Sequence, residues 1–265
     1  MDDDWDVRTS GPADAGRRAL LIPGAMCTTE FFADVMAEPR LPEAGVRTVA
    51  ATIPGFGRTR APADVSLENY ARLFGRLAAD RRCDVVVGHS LGANIALEMA
   101  AAGIFTGPVV LLSPAFSRKD ESTGLALVDA VARVPVLGGL VWTAVMKVLP
   151  LGLRRILPPA RADALAADMA TSRPAACRRI VREYFAYFRR HDSLVNRLCD
   201  VGVPAWVVRG DRDDVGLAAA ERRALEHCGH VGLVDIPGAD HFALVRRPAR
   251  IADTILEAVA TLRTD

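Results

Sequence analysis

Val85-Val86-Val87-Gly88-His89-Ser90-Leu91-Gly92-Ala93-Asn94-Ile95-Ala96 runs from a β-branched segment, across a serine framed by glycines, into an alanine-rich segment. It reads as strand, sharp turn, helix. The G-x-S-x-G spacing has a mechanical cause. A serine at the tip of a strained strand-to-helix turn leaves room only for small residues two places before and after it. The new helix also puts its free N–H groups and positive dipole end beneath the serine, where negative charge would develop. The five-residue pattern alone occurs by chance in many chains. Its place between a strand and a helix gives it meaning, and makes Ser90 the candidate nucleophile.

Outward from this segment, short aliphatic runs alternate with longer helical patterns. Strands are expected at Ala19–Ile22, Val46–Ala51, Asp84–Val87, Val109–Leu112, Ala205–Arg209 and Val231–Ile236. These runs are near-continuously apolar, as in parallel strands buried on both faces. Helices are expected at Leu67–Asp80, Ala93–Ala102, Leu217–Glu226 and Ala249–Arg263, the last opened by Pro248. From Phe116 to Leu198 the rhythm breaks: the pattern is helical, interrupted by Pro135, Pro150, Pro158-Pro159 and Pro174. The economical reading is one α/β core, residues 1–115 and 199–265, with a helical insertion at 116–198. The first 16 residues read as a loose leader.

Composition narrows the class. The chain is 51% hydrophobic and 25% charged with net charge +1, so nothing in its balance points to nucleic acid or an acidic partner. Met1-Asp2-Asp3-Asp4-Trp5-Asp6 is acidic where a secretory leader is basic. The longest uncharged apolar stretch, Val134–Met146, is too short for stable membrane insertion. Five scattered cysteines, Cys27, Cys83, Cys177, Cys199 and Cys228, read as free thiols in a reducing cytoplasm. His227-Cys228-x-His230 lacks a second ligand pair and reads as a structural loop, so no metal is expected. No G-x-G-x-x-G or other cofactor motif is present, and no cofactor is expected.

A serine hydroxyl needs a base held by a third group, in the chain order serine, acid, histidine. Of five histidines, His241 lies in a glycine-containing loop just beyond the Val231–Ile236 run. His230 precedes that run and would sit at the far end of a parallel sheet. His89 is expected to point away on its tight turn, and His191 lies in the insertion. His241 is therefore the candidate base. The acid belongs at the C-terminal end of Ala205–Arg209, where Asp211, Asp213 and Asp214 are equally placed.

These residues closely resemble the α/β-hydrolase superfamily over nearly the whole chain outside the insertion. The resemblance implies a mostly parallel central sheet flanked by helices, with a helical cap inserted before the acid-bearing strand. The family's Gly-x-x-Asp pattern matches Gly210-Asp211-Arg212-Asp213 and assigns the acid to Asp213, leaving Asp211 to order the loop. Its histidine motif looks like Asp240-His241-Phe242, with Asp240 in place of the usual glycine. Its oxyanion loop is similar to Pro23-Gly24-Ala25-Met26, with Pro23 where histidine is common. The implied oxyanion donors are the backbone amides of Leu91 and Ala25, with Met26 as the substitute for Ala25. Each such donor contributes roughly 3–4 kcal/mol to transition-state stabilisation.

The first half of the insertion is apolar: Leu125, Leu127, Val128, Val131, Val136, Leu137, Leu140, Val141, Trp142, Val145, Met146 and Leu149. Most of these are cap packing and some face the cleft, which implies an apolar substrate. The second half carries Arg154, Arg155, Arg161, Arg178, Arg179, Arg182, Arg189 and Arg190, a solvated face or a rim that attracts an anion. The expected activity is that of a carboxylic ester hydrolase acting through an acyl-enzyme. Thioesterase or acyltransferase chemistry with a carrier-protein partner, C–C bond hydrolysis, and a weakly catalytic ligand-binding protein are the competing readings.

Overall fold

Apolar runs buried along their whole length become the middle of a sheet. The computed structural model describes residues 5–121, 130, 137–191 and 193–262. Its strands are β1 (Val7–Ser10), β2 (Arg17–Ile22), β3 (Val46–Ala51), β4 (Val85–His89), β5 (Val109–Leu112), β6 (Ala205–Gly210) and β7 (Val231–Ile236). They form one sheet in the order β1-β3-β2-β4-β5-β6-β7, parallel throughout except for the β1–β3 pair. All of β4 is buried, and because side chains alternate along a strand, both sheet faces are covered there. The candidate nucleophile thus leaves the central strand.

Single turns α1 (Ala33–Met36) and α2 (Arg40–Glu43) precede α3 (Leu67–Asp80), and α4 (Leu91–Ala101) follows β4. Ser66 accepts the Asn69 amide at 3.3 Å, a cap contributing about 1 kcal/mol. Leu67, Tyr70, Ala71, Phe74, Leu77 and Ala78 recur at helical spacing and form the buried face of α3. Between β5 and β6 lie α5 (Leu137–Ile156), α6 (Pro159–Met169), α7 (Pro174–Arg190) and α8 (Leu194–Cys199). After β6 come α9 (Ala219–Glu226), α10 (Ala243–Arg246) and α11 (Pro248–Ala260). Among the described residues, no helix is long and apolar enough to cross a membrane.

The insertion is fastened to the core by polar side chains. Tyr187 of α7 donates to Glu98 Oε2 of α4 at 2.7 Å, and Arg197 of α8 reaches the same oxygen at 2.5 Å. Glu98 is only 4% exposed, so these donors offset a desolvation cost of several kcal/mol. Arg161 pairs with Glu30 and Asp34, and Arg190 with Glu68.

Two expectations are corrected. The leader is not loose throughout: Val7–Ser10 pairs with β3, Val7 opposite Ala51 and Ser10 opposite Thr48. Thr52 donates to Asp6 Oδ2, and Trp5 meets Phe74 edge-on at 5.1 Å. An edge strand needs only backbone pairing, so Val-Arg-Thr-Ser carries no apolar run to announce it. The cysteines are not all free thiols. Cys199 and Cys228 form a disulfide, while Cys27, Cys83 and Cys177 are free. The bond joins the end of α8 to the turn before β7, a contact no local spacing signals. His227 Nδ1 meets the Arg223 carbonyl and His230 Nε2 the Leu198 carbonyl, so that cluster is structural.

Candidate active site

Ser90 has φ 53° and ψ −119°, a left-handed backbone costly for a residue with a side chain. The surroundings impose it. Its N–H donates to the Leu112 carbonyl of β5 at 2.8 Å, while its own carbonyl accepts the Ala93 and Asn94 amides that start α4. A Cβ at Gly88 would collide with the Gly92 carbonyl, and one at Gly92 with the carbonyls of Ile22 and Pro23. Both glycines are therefore required by close approach.

The loops after β6 and β7 bring the other two candidates together. His241 Nδ1–H donates to Asp213 Oδ1 at 3.0 Å, and the Val215 amide donates to the same oxygen. Asp211 instead accepts the Gly238 amide at 2.8 Å, ordering the loop that leads to His241. Asp214 is exposed at the cavity. The Asp213 side chain is wholly enclosed. Burial favours its neutral form, but His241, the nearby Ser113 and the Val215 amide outweigh that and hold the carboxyl below its ordinary range. Among the described residues, Asp213 Oδ2 is buried without a hydrogen-bond partner. For His241, burial pulls the pKa down, while the hydrogen bond and charge of Asp213, then Asp214 and Glu121, bring the net shift upward.

Donation from Nδ1 leaves Nε2 as the basic nitrogen. Ser90 and His241 line one cavity, and no hydrogen bond joins their side chains. Such bonds commonly tighten only with substrate bound. His89 is not directed away from this chemistry. Its Nε2–H donates to the His241 carbonyl at 2.9 Å, and the two rings lie 4.8 Å apart. Burial, then the neighbouring His241, pushes His89 down to about 3 despite that bond and Asp213, keeping it neutral.

Leu91 is the first residue of α4, so its amide is one of the helix's free N–H groups. Ala25 and Met26 line the same cavity, and neither amide has an acceptor among the described residues. Met26 adopts φ 63° in the turn closed by the Cys27 amide on the Gly24 carbonyl. The structure thus presents both candidates for the second oxyanion donor.

The cavity holds about 520 Å³. Its insertion wall includes Trp142, Val145, Met146, Leu149 and Leu153, while Glu121, Arg212, Asp214 and Asp240 supply charge. Leu140, grouped with the packing residues from sequence, is 70% exposed. Leu125, Leu127, Val128, Val131, Val136 and the side chains of Leu137 and Val141 lie outside the described residues. The arginines of the second half serve several ends: Arg161 and Arg190 bind core carboxylates, Arg154 pairs with Asp163, and Arg179 reaches the Ala63 carbonyl.

Asp213, Asp214 and His241 bring possible metal-ligand atoms within 4.8 Å of one another. One nitrogen and two carboxylates do not make a closed four-ligand zinc set, and His241 Nδ1 already donates to Asp213. Sequence reasoning missed Glu121, His89 and Ser113. The signal for Ser113 was its position directly after β5, beside the acid-bearing strand; the other two carried none.

Comparisons with known proteins agree with this architecture. Residues 19–254 match the model of the alpha/beta hydrolase family. No curated protein matches the sequence. Among solved structures, an esterase from Exiguobacterium antarcticum superposes with TM-score 0.76 at 16% identity, covering 97% of this chain and 96% of that one. The enol-lactonase from Burkholderia xenovorans LB400 gives 0.74 at 17% identity, covering 97% and 96%. A thioesterase domain from the curacin biosynthetic pathway gives 0.68 at 17% identity, covering 95% and 94%. At such identities these likenesses speak to fold alone. The family match spans most of the chain, and the chain belongs to the alpha/beta hydrolase family.

Proposed function

We propose that this protein is a serine hydrolase that cleaves a carboxylic ester of an apolar small molecule through an acyl-enzyme. The observation that carries the reading is the hydrogen bond from His241 to enclosed Asp213, at a cavity shared with strained Ser90. His241 Nε2 removes the Ser90 proton as Oγ bonds to the ester carbonyl carbon. The carbonyl oxygen takes up negative charge against the amides of Leu91 and Ala25 or Met26. The tetrahedral species collapses, the C–O bond to the alcohol breaks, and His241 returns the proton to the leaving oxygen. Water then attacks the acyl carbon, His241 accepts its proton and passes it to Ser90, and the carboxylic acid departs. Asp213 keeps His241 in the right tautomer and stabilises the imidazolium. The mainly apolar insertion wall supports an apolar acyl or alcohol group.

The test is turnover of 4-nitrophenyl hexanoate together with fluorophosphonate labelling. Wild-type protein is expected to turn over the ester and gain one adduct, at Ser90. Ser90→Ala should lose the adduct and about 10⁵- to 10⁶-fold in kcat, as deletion of a triad serine does elsewhere. Unchanged turnover in Ser90→Ala would overturn the reading.

A further inference from the structure

The helix α5 is apolar on two opposite faces, and the cavity accounts for only one of them. Trp142, Met146, Leu149 and Leu153 recur at helical spacing and line the cavity. On the other face Leu140, Val148 and Leu151 recur at the same spacing and are 70%, 62% and 54% exposed. Ala144, between Leu140 and Val148, is exposed as well. The outer face of a helix in a water-soluble fold is ordinarily polar, so a row of exposed aliphatic side chains marks an interaction surface. Ile156, at the end of the helix, both lines the cavity and is 48% exposed, which carries apolar surface from the cavity to the outside.

The charge on α5 selects the occupant. Its charged residues are Lys147, Arg154 and Arg155, all exposed, and it carries no Asp or Glu. At 3.6 residues per turn, Lys147 and Arg154 flank the aliphatic row and Arg155 continues it toward the C-terminus; Arg154 also pairs with Asp163 at 2.9 Å. A second copy packed on this face by two-fold symmetry would bring these cations against their own equivalents. An anionic lipid surface satisfies both parts of the pattern, acyl chains meeting the aliphatic row and headgroups the cations. Among the described residues no helix is long and apolar enough to cross a bilayer, so the contact fits the surface of one. We propose that the outer face of α5 binds peripherally to a bilayer bearing anionic phospholipid and holds the cavity close to it. The inference concerns binding and stands apart from the esterase reading.

The experiment is flotation of the full chain with vesicles of phosphatidylcholine alone and of phosphatidylcholine mixed equally with phosphatidylglycerol. Wild type should bind the anionic vesicles at least about tenfold more tightly than the neutral ones, and lose that preference as salt is raised. Val148→Glu with Leu151→Glu charges the aliphatic row and should weaken binding about tenfold or more. Lys147→Ala with Arg155→Ala keeps the row and should weaken binding to anionic vesicles roughly 25-fold, about fivefold per charge. The alanine pair replaces exposed side chains, so the test stands even if the glutamate pair fails to fold; thermal unfolding is recorded for both. No wild-type flotation with anionic vesicles, equal binding to both kinds, or binding unmoved by the alanine pair overturns the proposal. A dimer in light scattering that the glutamate pair splits would give the face to a second copy and overturn it too. Turnover of 4-nitrophenyl hexanoate is followed without vesicles. Vesicle binding with no turnover would sink the esterase reading alone, and turnover with no vesicle binding would sink this proposal alone.

Discussion

One cavity has two walls of different construction. On the core side the proposed catalytic groups hang from the ends of three strands of one sheet: Ser90 after β4, Asp213 after β6, His241 after β7. Their placement is set by backbone that has little freedom, with Ser90 at φ 53° and Asp213 wholly enclosed. On the insertion side the wall is helical and mostly apolar, with Met146 and Met169 among its residues, whose side chains adapt to irregular shapes. It is held to the core by scattered polar contacts such as Tyr187 to Glu98. The difference teaches where chemistry and selectivity are stored. Strand ends hold atoms to the tolerance a proton transfer demands, whereas an inserted helical wall changes what enters without moving them.

The sharpest way to break that division is to alter the core wall without changing its shape. Asp213→Asn keeps the volume but presents an amide to His241 and favours the wrong tautomer. Such a change costs about 10⁴-fold in kcat in a serine triad, and a loss of that order is expected here on 4-nitrophenyl hexanoate. The pH profile adds a direction. His241 must be neutral to accept the serine proton, so kcat/KM climbs as pH rises through its pKa. The net shift of His241 is upward, so the wild-type limb should lie above the ordinary imidazole value. Removing the Asp213 charge should move the limb in the residual activity down. A limb that stays in place would show that Asp213 does not face the working base.

A smaller effect on the same wall is expected from His89, which touches the base only through its backbone and ring. His89→Ala removes the donor to the His241 carbonyl, and displacement of a catalytic group by a fraction of an ångström to an ångström costs up to about 100-fold. A kcat loss of roughly ten- to a hundredfold is expected, with thermal unfolding recorded alongside to separate positioning from collapse. His89 is neutral over the assay range, so its removal should not delete a titration from the profile. Loss of a limb would mean that His89 itself titrates in catalysis.

The same division governs what was legible from sequence. The strands at Val46–Ala51 and Val109–Leu112 were readable to the residue because buried parallel strands write themselves as apolar runs. Gly88 and Gly92 were readable because the turn at Ser90 permits nothing larger. Val7–Ser10 was not, since an edge strand held by backbone pairing asks nothing of its side chains. Among Asp211, Asp213 and Asp214 only resemblance could choose, because each sits on one loop and rotamer and burial decide which meets His241. The Cys199–Cys228 bond and the reach of His89 to the His241 carbonyl are tertiary facts with no local period. In the insertion, Trp142 and Leu140 read alike as apolar helix residues two places apart, yet one is buried at the cavity and the other exposed.

The mildest test probes the insertion's attachment. Tyr187→Phe deletes the hydroxyl that Glu98 accepts at 2.7 Å while keeping the ring that packs in the core. Arg197 still reaches Glu98 Oε2, so the buried carboxylate retains a charged partner and the loss is one hydrogen bond rather than an orphaned ion. About 1–2 kcal/mol of unfolding free energy should disappear in urea titration. Tyr187 does not line the cavity, so kcat/KM for a short acetate ester should stay within about twofold. If activity fell a hundredfold while stability held, the α4–α7 contact would be positioning the strand-end chemistry, and the two walls would have to be treated as one unit.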